Sequence, residues 1–173
     1  MNRVYLGLGS NIDAATNLPK AVQQLKEYGR VIAVSRVWET KPIDCPGHQE
    51  FFLNAAVLLE TPLSADAVRL EAITAIETGL GRVRDPANRN APRTIDIDVA
   101  LFNDEILQIE HRPVPDPAIL KMAYLAIPLA ELDPNYRHPE TGQTLAEIAA
   151  GFDAESEGVW PYEELELTRF ANS

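Results

Sequence analysis

Residues 81–98 read GRVRDPANRNAPRTIDID, and this is the most informative stretch of the chain. Asp96 and Asp98 stand two positions apart in a β-prone run, so strand alternation puts both carboxylates on one face. Ile95 and Ile97 then share the opposite face. At a rise of about 3.3 Å per residue, the two carboxylates lie roughly 7 Å apart along the strand. The pair suits a hard cation such as Mg²⁺, which accepts one or two carboxylates together with phosphate oxygens.

The position of this aspartate strand can be inferred from its neighbours. A solvated face of an edge strand is the alternative interpretation of two nearby aspartates. However, the residues around them are Ile, Val, Leu and Phe, whereas aspartate is disfavoured in strands. We therefore expect residues 94–102 to form a central strand whose two charges have a metal or arginine partner.

Four arginines precede the aspartates in the same segment. They are Arg82, Arg84, Arg89 and Arg93, in a chain whose formal net charge is −11. One or two arginines in a loop are usually solvated, but four beside paired acids favour anion binding, because guanidinium groups clamp phosphate in a bidentate manner. Acids that suit a metal, next to arginines that suit phosphate, indicate phosphoryl or nucleotidyl chemistry.

The remaining hydrophobic pattern predicts an α+β fold. Consecutive strands without helices between them, mixed with single helices, favour a ferredoxin-like α/β sandwich with a mostly antiparallel central sheet. Further strands are expected at residues 4–8, 31–38, 51–60 and 106–109, and helices near residues 18–28, 64–79, 126–132 and 145–150. Ser64 is the expected N-cap of its helix, and loops are expected at residues 41–50 and 85–92.

Glycine-rich nucleotide motifs are weak or missing in this sequence. Gly7 and Gly9 lie at the end of the first expected strand, but the third glycine of a dinucleotide-binding loop is not there, so a tight turn is the better interpretation. A P-loop motif is also absent from the sequence. ATP, if it binds, must be held in another way.

An asparagine within an apolar strand is the candidate for reading a heterocycle. Asn54 lies in the run FFLNAAV at 51–57, where a buried amide must find hydrogen-bond partners. It suits a core role satisfied by backbone groups, or recognition of a heterocycle edge, because one amide offers both a donor and an acceptor. The two roles are equally compatible with the residue alone. The aromatic residues Phe52 and Tyr124, taken singly, are typical of a core.

Bulk composition limits the class of protein. A chain of 173 residues is expected to form one domain with a real core, and its net charge of −11 argues against nucleic-acid or anionic-membrane partners. The single cysteine, Cys45, cannot form an internal disulfide, which favours a cytoplasmic location. Residues 152–173 contain six acids against one base. We predict a main domain at residues 1–151 and an acidic C-terminal extension at residues 152–173.

Taken together, the motifs resemble the 6-hydroxymethyl-7,8-dihydropterin pyrophosphokinase family of folate biosynthesis. The element PRTIDID at 92–98 is highly specific, and the matching pieces occur in the expected order over about residues 3–150. The other pieces are YLGLGSN at 5–11, FLNAA at 52–56, GRVR at 81–84, VP at 114–115 and PL at 128–129.

The resemblance implies a ferredoxin-like ATP-dependent diphosphokinase that transfers pyrophosphate to the pterin hydroxymethyl group and releases AMP. Asp96 and Asp98 are implied to hold two Mg²⁺ ions, and Arg82 and Arg93 to neutralise the transferred group. The implied pterin-binding residues are Thr40, Pro42, Ile43, Phe52, Asn54 and Tyr124, and the implied ATP-binding residues are Glu77, Arg84, Arg89, Arg93 and Arg112.

Three positions differ from the family pattern. Asp116 stands where a histidine is common, Met122 where an arginine precedes the stacking aromatic, and Asn90 where an aromatic is common. All three fall on the expected ATP side, which leaves open a second interpretation as a divergent pterin-binding module with weak or no ATP-dependent activity. A two-metal nucleotidyltransferase acting on nucleic acid is a third interpretation, which the net charge disfavours.

Overall fold

The computed structural model describes residues 1–41, 51–88 and 91–172. Several sequence predictions therefore lie outside the described residues: those on Pro42, Ile43, Cys45, Arg89 and Asn90, and most of the loop expected at 41–50. The strands are β1 (Asn2–Ser10), β2 (Arg30–Val34), β3 (Trp38–Thr40), β4 (Phe52–Thr61), β5 (Asp96–Phe102), β6 (Leu107–Ile109), β7 (Arg112–Val114) and β8 (Val159–Pro161). The α-helices are α1 (Ala14–Leu25), α2 (Ala65–Ala67), α3 (Thr74–Gly79), α4 (Ala123–Leu132), α5 (Leu145–Ala150) and α6 (Thr168–Ala171).

Six strands form the main sheet, in the order β5-β1-β4-β3-β8, with β2 also paired to β4. In the described part of the chain every strand pairing is antiparallel, including the separate β6–β7 hairpin. The predicted α+β, ferredoxin-like fold with a mostly antiparallel sheet is confirmed.

Alternation along β1 separates two layers of core. Leu6 and Leu8 pack with residues of α1 and α3 in the larger cluster, whereas Tyr5 packs on the opposite face with residues of α4 and α5. The helices thus cover both faces of the sheet. Each face of the sheet is apolar for most of its length.

The helical segment at residues 65–79 begins where the sequence predicts. The Ser64 hydroxyl accepts a hydrogen bond from the Ala67 backbone N–H at 3.2 Å, which satisfies one of the free donors of the first turn. A π-helical stretch, Val68–Ile73, links α2 to α3, and α3 ends at Gly79 as expected. This ending places Glu77 close to β5.

The expectation that the aspartate strand is central is wrong, because β5 is at the edge of the main sheet. Its apolar residues are buried by helices on both faces of the sheet. This burial gives β5 the same continuous apolar sequence that a central strand would have. On the outer side of β5, the Asp116 backbone N–H donates to the Ala100 carbonyl at 2.9 Å.

The predicted strand at 31–38 is divided into β2 and β3. Between them, Ser35 exchanges hydrogen bonds with β4, because its N–H donates to the Ala56 carbonyl and its hydroxyl accepts from the Ala56 N–H. The backbone thus stays attached to β4 while it changes register. This division makes β3 a short strand that carries Trp38 and Thr40.

The described part of the C-terminal segment is packed onto the body. Strand β8 adds to β3, Leu167 is buried in the larger core cluster, and Tyr162 and Phe170 pack against that cluster. The boundary at residue 151/152 remains a prediction. None of the helices in the described ranges combines the length and the apolar composition that crossing a membrane requires.

Gly29 lies where α1 returns to the sheet, and we predict that replacing it destabilises the fold. A Cβ at this position would lie 2.3 Å from the Glu60 carbonyl oxygen, a backbone atom that cannot move cheaply. We expect Gly29→Ala to lower the free energy of unfolding in urea by about 1–3 kcal/mol.

Gly79→Ala is the matched control for this prediction, since its nearest neighbouring atom would be 3.9 Å from the new Cβ. That substitution should be neutral or slightly stabilising, as alanine favours helix. Equal unfolding free energies for the two variants would contradict the prediction.

Candidate active site

The candidate site lies where β4, β1 and β5 run side by side. In the strand register Gly9 is opposite both Asn54 and Asp96, and Gly7 is opposite Asp98. These residues line one cavity of about 840 Å³, including its open mouth. Ile95 and Ile97 are fully buried on the other side of the sheet. The predicted division of this segment into a carboxylate face and an apolar face is confirmed.

The two glycines form the floor of the cavity. The interpretation of Gly7 and Gly9 as a tight turn is wrong, because both lie within β1. A Cβ on Gly7 would lie 2.8 Å from Leu125 Cδ1, and one on Gly9 would lie 3.3 Å from Asn54 Oδ1. The absence of side chains at Gly7 and Gly9 therefore lets Leu125 and Asn54 come close to the strand, which sequence reasoning did not identify.

Asp96 is held by two of the predicted arginines. Its Oδ1 accepts from Arg82 Nη1 at 2.9 Å and its Oδ2 accepts from Arg93 Nη1 at 3.0 Å. Burial alone would raise the pKa of this carboxyl, but the charges and hydrogen bonds of the two arginines outweigh it and hold the pKa below its usual value. Asp96 is therefore an anion at neutral pH.

Asp98 is in a different electrostatic environment. Arg112 Nη1 lies 2.6 Å from its Oδ1, and this arginine is half exposed. Burial, followed by the nearby charge of Asp96, raises the pKa of Asp98 to about 7 despite that partner. Two neighbouring carboxyls thus differ strongly in acidity, and the half-exposed Arg112 compensates the charge of the second only in part. A divalent cation would supply the missing positive charge.

Glu77 is a buried acid that organises the arginines from behind. Its side chain is 4% exposed, and Oε2 accepts from the Ile97 backbone N–H at 3.0 Å and from Arg82 Nη1 at 3.2 Å. Oε1 accepts from Arg84 Nη2 at 3.0 Å. Glu77 therefore holds the backbone of β5 and the side chains of two arginines at once. One of these arginines, Arg82, also binds Asp96.

Asn54 has the hydrogen-bond partners of a core asparagine, and its role in recognising a heterocycle remains a prediction. Its Nδ2 donates to the Trp38 carbonyl at 3.3 Å and to Thr40 Oγ1 at 3.0 Å, so β3 satisfies the amide nitrogen. Asn54 and Thr40 also line the cavity, as do the aromatic residues Phe52 and Tyr124. The amide is thus fixed in orientation at the edge of a space bounded by aromatic rings.

Arg93 joins the aromatic part of the cavity to the carboxylates. Its guanidinium carbon lies 5.6 Å from the centroid of the Phe52 ring, while its Nη1 bonds to Asp96. Arg93 also lines an open groove with the other arginines of this region. The predicted site residues that line this groove are Arg82, Arg84, Arg93, Asp96, Asp98 and Arg112.

A third opening extends outward from Asp98. Arg112 and Asp116 line it together with the apolar side chains Val99 and Ile109. Asp116 also lines the first cavity, and its carboxylate accepts from the Ala118 N–H at 2.9 Å. Sequence reasoning treated Asp116 as a departure from a pattern and did not predict that it contacts both openings.

The structure brings together most of the predicted site residues. In the described ranges, Thr40, Phe52, Asn54, Tyr124, Arg93, Asp96 and Asp98 line one cavity, and Arg82, Arg84 and Arg112 join them along the groove. The predicted site residues Pro42, Ile43 and Arg89 are outside the described ranges. The arrangement can hold a flat heterocycle on one side of the carboxylates and an anion on the other side.

The fold and the site define a ferredoxin-like α+β protein built for phosphoryl-transfer chemistry. The chain belongs to the 7,8-dihydro-6-hydroxymethylpterin-pyrophosphokinase (HPPK) family, whose model matches residues 5–134. It is 39% identical over 156 residues to the 2-amino-4-hydroxy-6-hydroxymethyldihydropteridine pyrophosphokinase of Methylorubrum extorquens, covering 88% of this chain and 95% of that protein. The Pseudomonas aeruginosa protein of the same name is 38% identical, covering 87% and 91%.

A solved structure supports the fold independently of sequence. The wild-type HPPK-DHPS of Plasmodium falciparum, determined with pteroate, superposes with a TM-score of 0.69 at 15% identity. The match covers 87% of this chain, which spans 44% of that longer chain. At this identity the likeness concerns the fold alone.

Opposite effects on stability are predicted for the same substitution at the two aspartates. Because the folded-state pKa of Asp98 is raised to about 7, its contribution to stability is lost as pH rises from about 4 to about 7. Asp98→Asn should therefore raise the Tm at pH 8, and the gain should disappear toward pH 4.

Asp96→Asn serves as the counterpart. The lowered pKa of Asp96 means that its ionised form stabilises the fold at neutral pH, and that this stabilisation is lost in acid. This variant should lower the Tm at pH 8. Thermal unfolding at pH 4 and pH 8 in EDTA checks both signs, and shifts of the same sign at pH 8 would contradict the prediction.

Proposed function

We propose that this protein transfers pyrophosphate from ATP to the hydroxymethyl group of 6-hydroxymethyl-7,8-dihydropterin and releases AMP, a step of folate biosynthesis. One observation carries the proposal: Asp96 and Asp98 lie between an aromatic cavity with a fixed amide and an open groove lined by arginines. Membership of the HPPK family and the names of its relatives support the same reaction.

The pterin is assigned to the cavity above Gly7 and Gly9. Asn54 offers its carbonyl oxygen and Thr40 its hydroxyl to the polar edge of the heterocycle, while Phe52 and Tyr124 offer ring faces. Because β3 already satisfies the amide nitrogen, Asn54 does not have to reorganise before binding. This arrangement reduces the entropic cost of recognition.

The triphosphate is assigned to the arginine-lined groove. Arg84, Arg93 and Arg112 line it with Arg82, and Glu77 holds Arg82 and Arg84 in place from behind. The apolar walls of the neighbouring opening, Val99 and Ile109, suit the base of the nucleotide. In this assignment Asp98 lies at the junction of all three spaces.

Magnesium is assigned to the two aspartates. Their carboxylates share one face, and burial, followed by the charge of Asp96, raises the pKa of Asp98. A pair of carboxylates suits Mg²⁺, since this ion takes one or two carboxylates and completes its shell with phosphate and water. Two bound Mg²⁺ ions would neutralise phosphate charge and acidify the attacking hydroxyl.

The residues of the chain contribute positioning and charge compensation. In the reaction the hydroxymethyl oxygen forms a bond to the β-phosphorus, the bond from that phosphorus to the α-phosphate oxygen breaks, and the hydroxyl proton is released. Arg93 lies between the aromatic wall and Asp96, where its guanidinium can neutralise charge on the transferred group. Arg82 is buried beneath Asp96 and holds that carboxylate in orientation.

A pterin-binding module without ATP-dependent activity is the second candidate. It is favoured by Asp116, a carboxylate that lines both the heterocycle cavity and the proposed base-side opening. Burial, more than any neighbouring charge, raises the pKa of Asp116. Cytoplasmic location remains a prediction, which rests on the single cysteine. A lack of nucleic-acid partners also remains a prediction, which rests on the net charge of −11.

Incubation with ATP, Mg²⁺ and 6-hydroxymethyl-7,8-dihydropterin tests these alternatives directly. Stoichiometric AMP and pterin pyrophosphate are expected. Pterin binding without AMP would favour the binding module, whereas AMP release in the absence of nucleic acid excludes a nucleic-acid nucleotidyltransferase.

Replacing either aspartate with alanine should abolish the reaction. Asp96→Ala and Asp98→Ala are each expected to lower kcat by roughly 10²- to 10³-fold or more, because preorganised charge at the phosphate is removed. AMP formation is the measurement, and circular dichroism verifies that the fold is kept. The exposed Asp104→Ala provides the matched control and should retain full activity. Near-normal turnover by either variant would overturn the metal assignment.

Arg93→Ala should affect catalysis more than binding. If Arg93 acts on charge that develops in the transition state, kcat falls further than pterin affinity. Steady-state kinetics and equilibrium pterin titration give the two quantities. A loss of affinity as large as the loss in kcat would indicate instead that its contact with the Phe52 ring supports ground-state binding.

A further inference from the structure

The C-terminal strand lies directly beside one wall of the proposed pterin cavity. β8 pairs with β3 in antiparallel register, so that Val159 is opposite Thr40. Thr40 in turn accepts the hydrogen bond from Asn54 Nδ2 at 3.0 Å. Strand pairing and a hydrogen bond therefore connect Val159, through Thr40, to the side-chain amide of Asn54.

Val159 also supports the opposite wall of the cavity. It is 3% exposed and forms a separate buried cluster with Trp38 and Ala123, against which Tyr124 and Phe152 pack. Ala123 is the first residue of α4, and Tyr124 follows it into the cavity. One buried side chain thus contacts the cluster that sets the positions of both the strand and the helix that bound the site.

The C-terminal segment is also anchored by a second buried residue, Leu167, away from the proposed site. Leu167 is 1% exposed and belongs to the larger core cluster on the face of the sheet opposite the cavity. Lys26 Nζ, at the end of α1, donates to the Phe170 carbonyl at 3.2 Å in the same region. The segment therefore has one anchor beside the proposed site and one away from it.

We propose that Val159 is a positioning residue for the pterin pocket, so that the acidic C-terminal segment is a structural part of the substrate site. This inference rests on the proposed function for the identity of the ligand. Removing the branched side chain leaves a void behind Thr40 and Tyr124, into which either can relax. Small displacements of positioning groups have large effects on recognition.

Two truncations of buried aliphatic residues separate this role from general stabilisation. Val159→Ala and Leu167→Ala both remove core contacts and should both lower the Tm. Binding of 6-hydroxymethylpterin is then measured by fluorescence titration well below both Tm values, in the presence of Mg²⁺ and a saturating non-hydrolysable ATP analogue. Binding of the analogue itself is measured in parallel.

We expect Val159→Ala to raise the pterin Kd by about fivefold or more, while the Kd of the ATP analogue changes by less than about twofold. Leu167→Ala should leave both constants near the wild-type values. Equal pterin constants in the two variants would overturn the proposal, since the segment would then act through stability alone. If Val159→Ala does not fold, Val159→Cys, which removes one branch and leaves a smaller void, takes its place with the same expected order of affinities.

Failure of the proposed function gives a different result. Wild-type protein that releases no AMP contradicts the assigned reaction, whatever the variants do. Wild-type protein that releases AMP, together with unchanged pterin affinity in Val159→Ala, contradicts the positioning role alone.

Discussion

The site depends on the pairing of β1 with two neighbours at once. Because β4 and β5 both run antiparallel to it, Asn54 and the two aspartates come to lie on either side of Gly7 and Gly9. A shift of one residue in either register would turn Asn54 or the carboxylates toward the opposite layer. The larger core cluster fixes this register, since Leu6, Leu8 and Ile97 are buried together on the far face. Hydrophobic packing on one face of the sheet thus determines the chemistry available on the other.

Charge in the site is arranged as two different environments. Asp96 is compensated by two arginines that Glu77 helps to fix, whereas Asp98 has one half-exposed partner and a raised pKa. The charge of Asp96 is therefore balanced within the protein itself. The charge of Asp98 is costly in the free protein, and the proposed Mg²⁺ would offset that cost, as expected for a functional site that trades stability for activity.

The sequence predicted the fold class and the face shared by Asp96 and Asp98 because both follow from hydrophobic periodicity, which is a local property. It did not predict that β5 is an edge strand, since helices that bury both faces give the same apolar pattern as neighbouring strands. Nor did it identify Gly7 and Gly9 as a cavity floor, because that role depends on Leu125 and Asn54 from other elements. The roles assigned to individual binding residues came from resemblance to a family and remain predictions.

The hydrogen bond from the Ile97 backbone N–H to Glu77 has a consequence for solubility. An edge strand with free amide groups is a template for another chain, and proteins usually protect such edges with charges or loops. Here Glu77 occupies the Ile97 amide and the Asp116 backbone occupies the Ala100 carbonyl, so the outer side of β5 is capped by groups next to the site. Glu77, which orders the arginines, therefore also makes the Ile97 amide unavailable for pairing with a strand of another molecule. Loss of Glu77 would open a route to self-association as well as disturb the arginines.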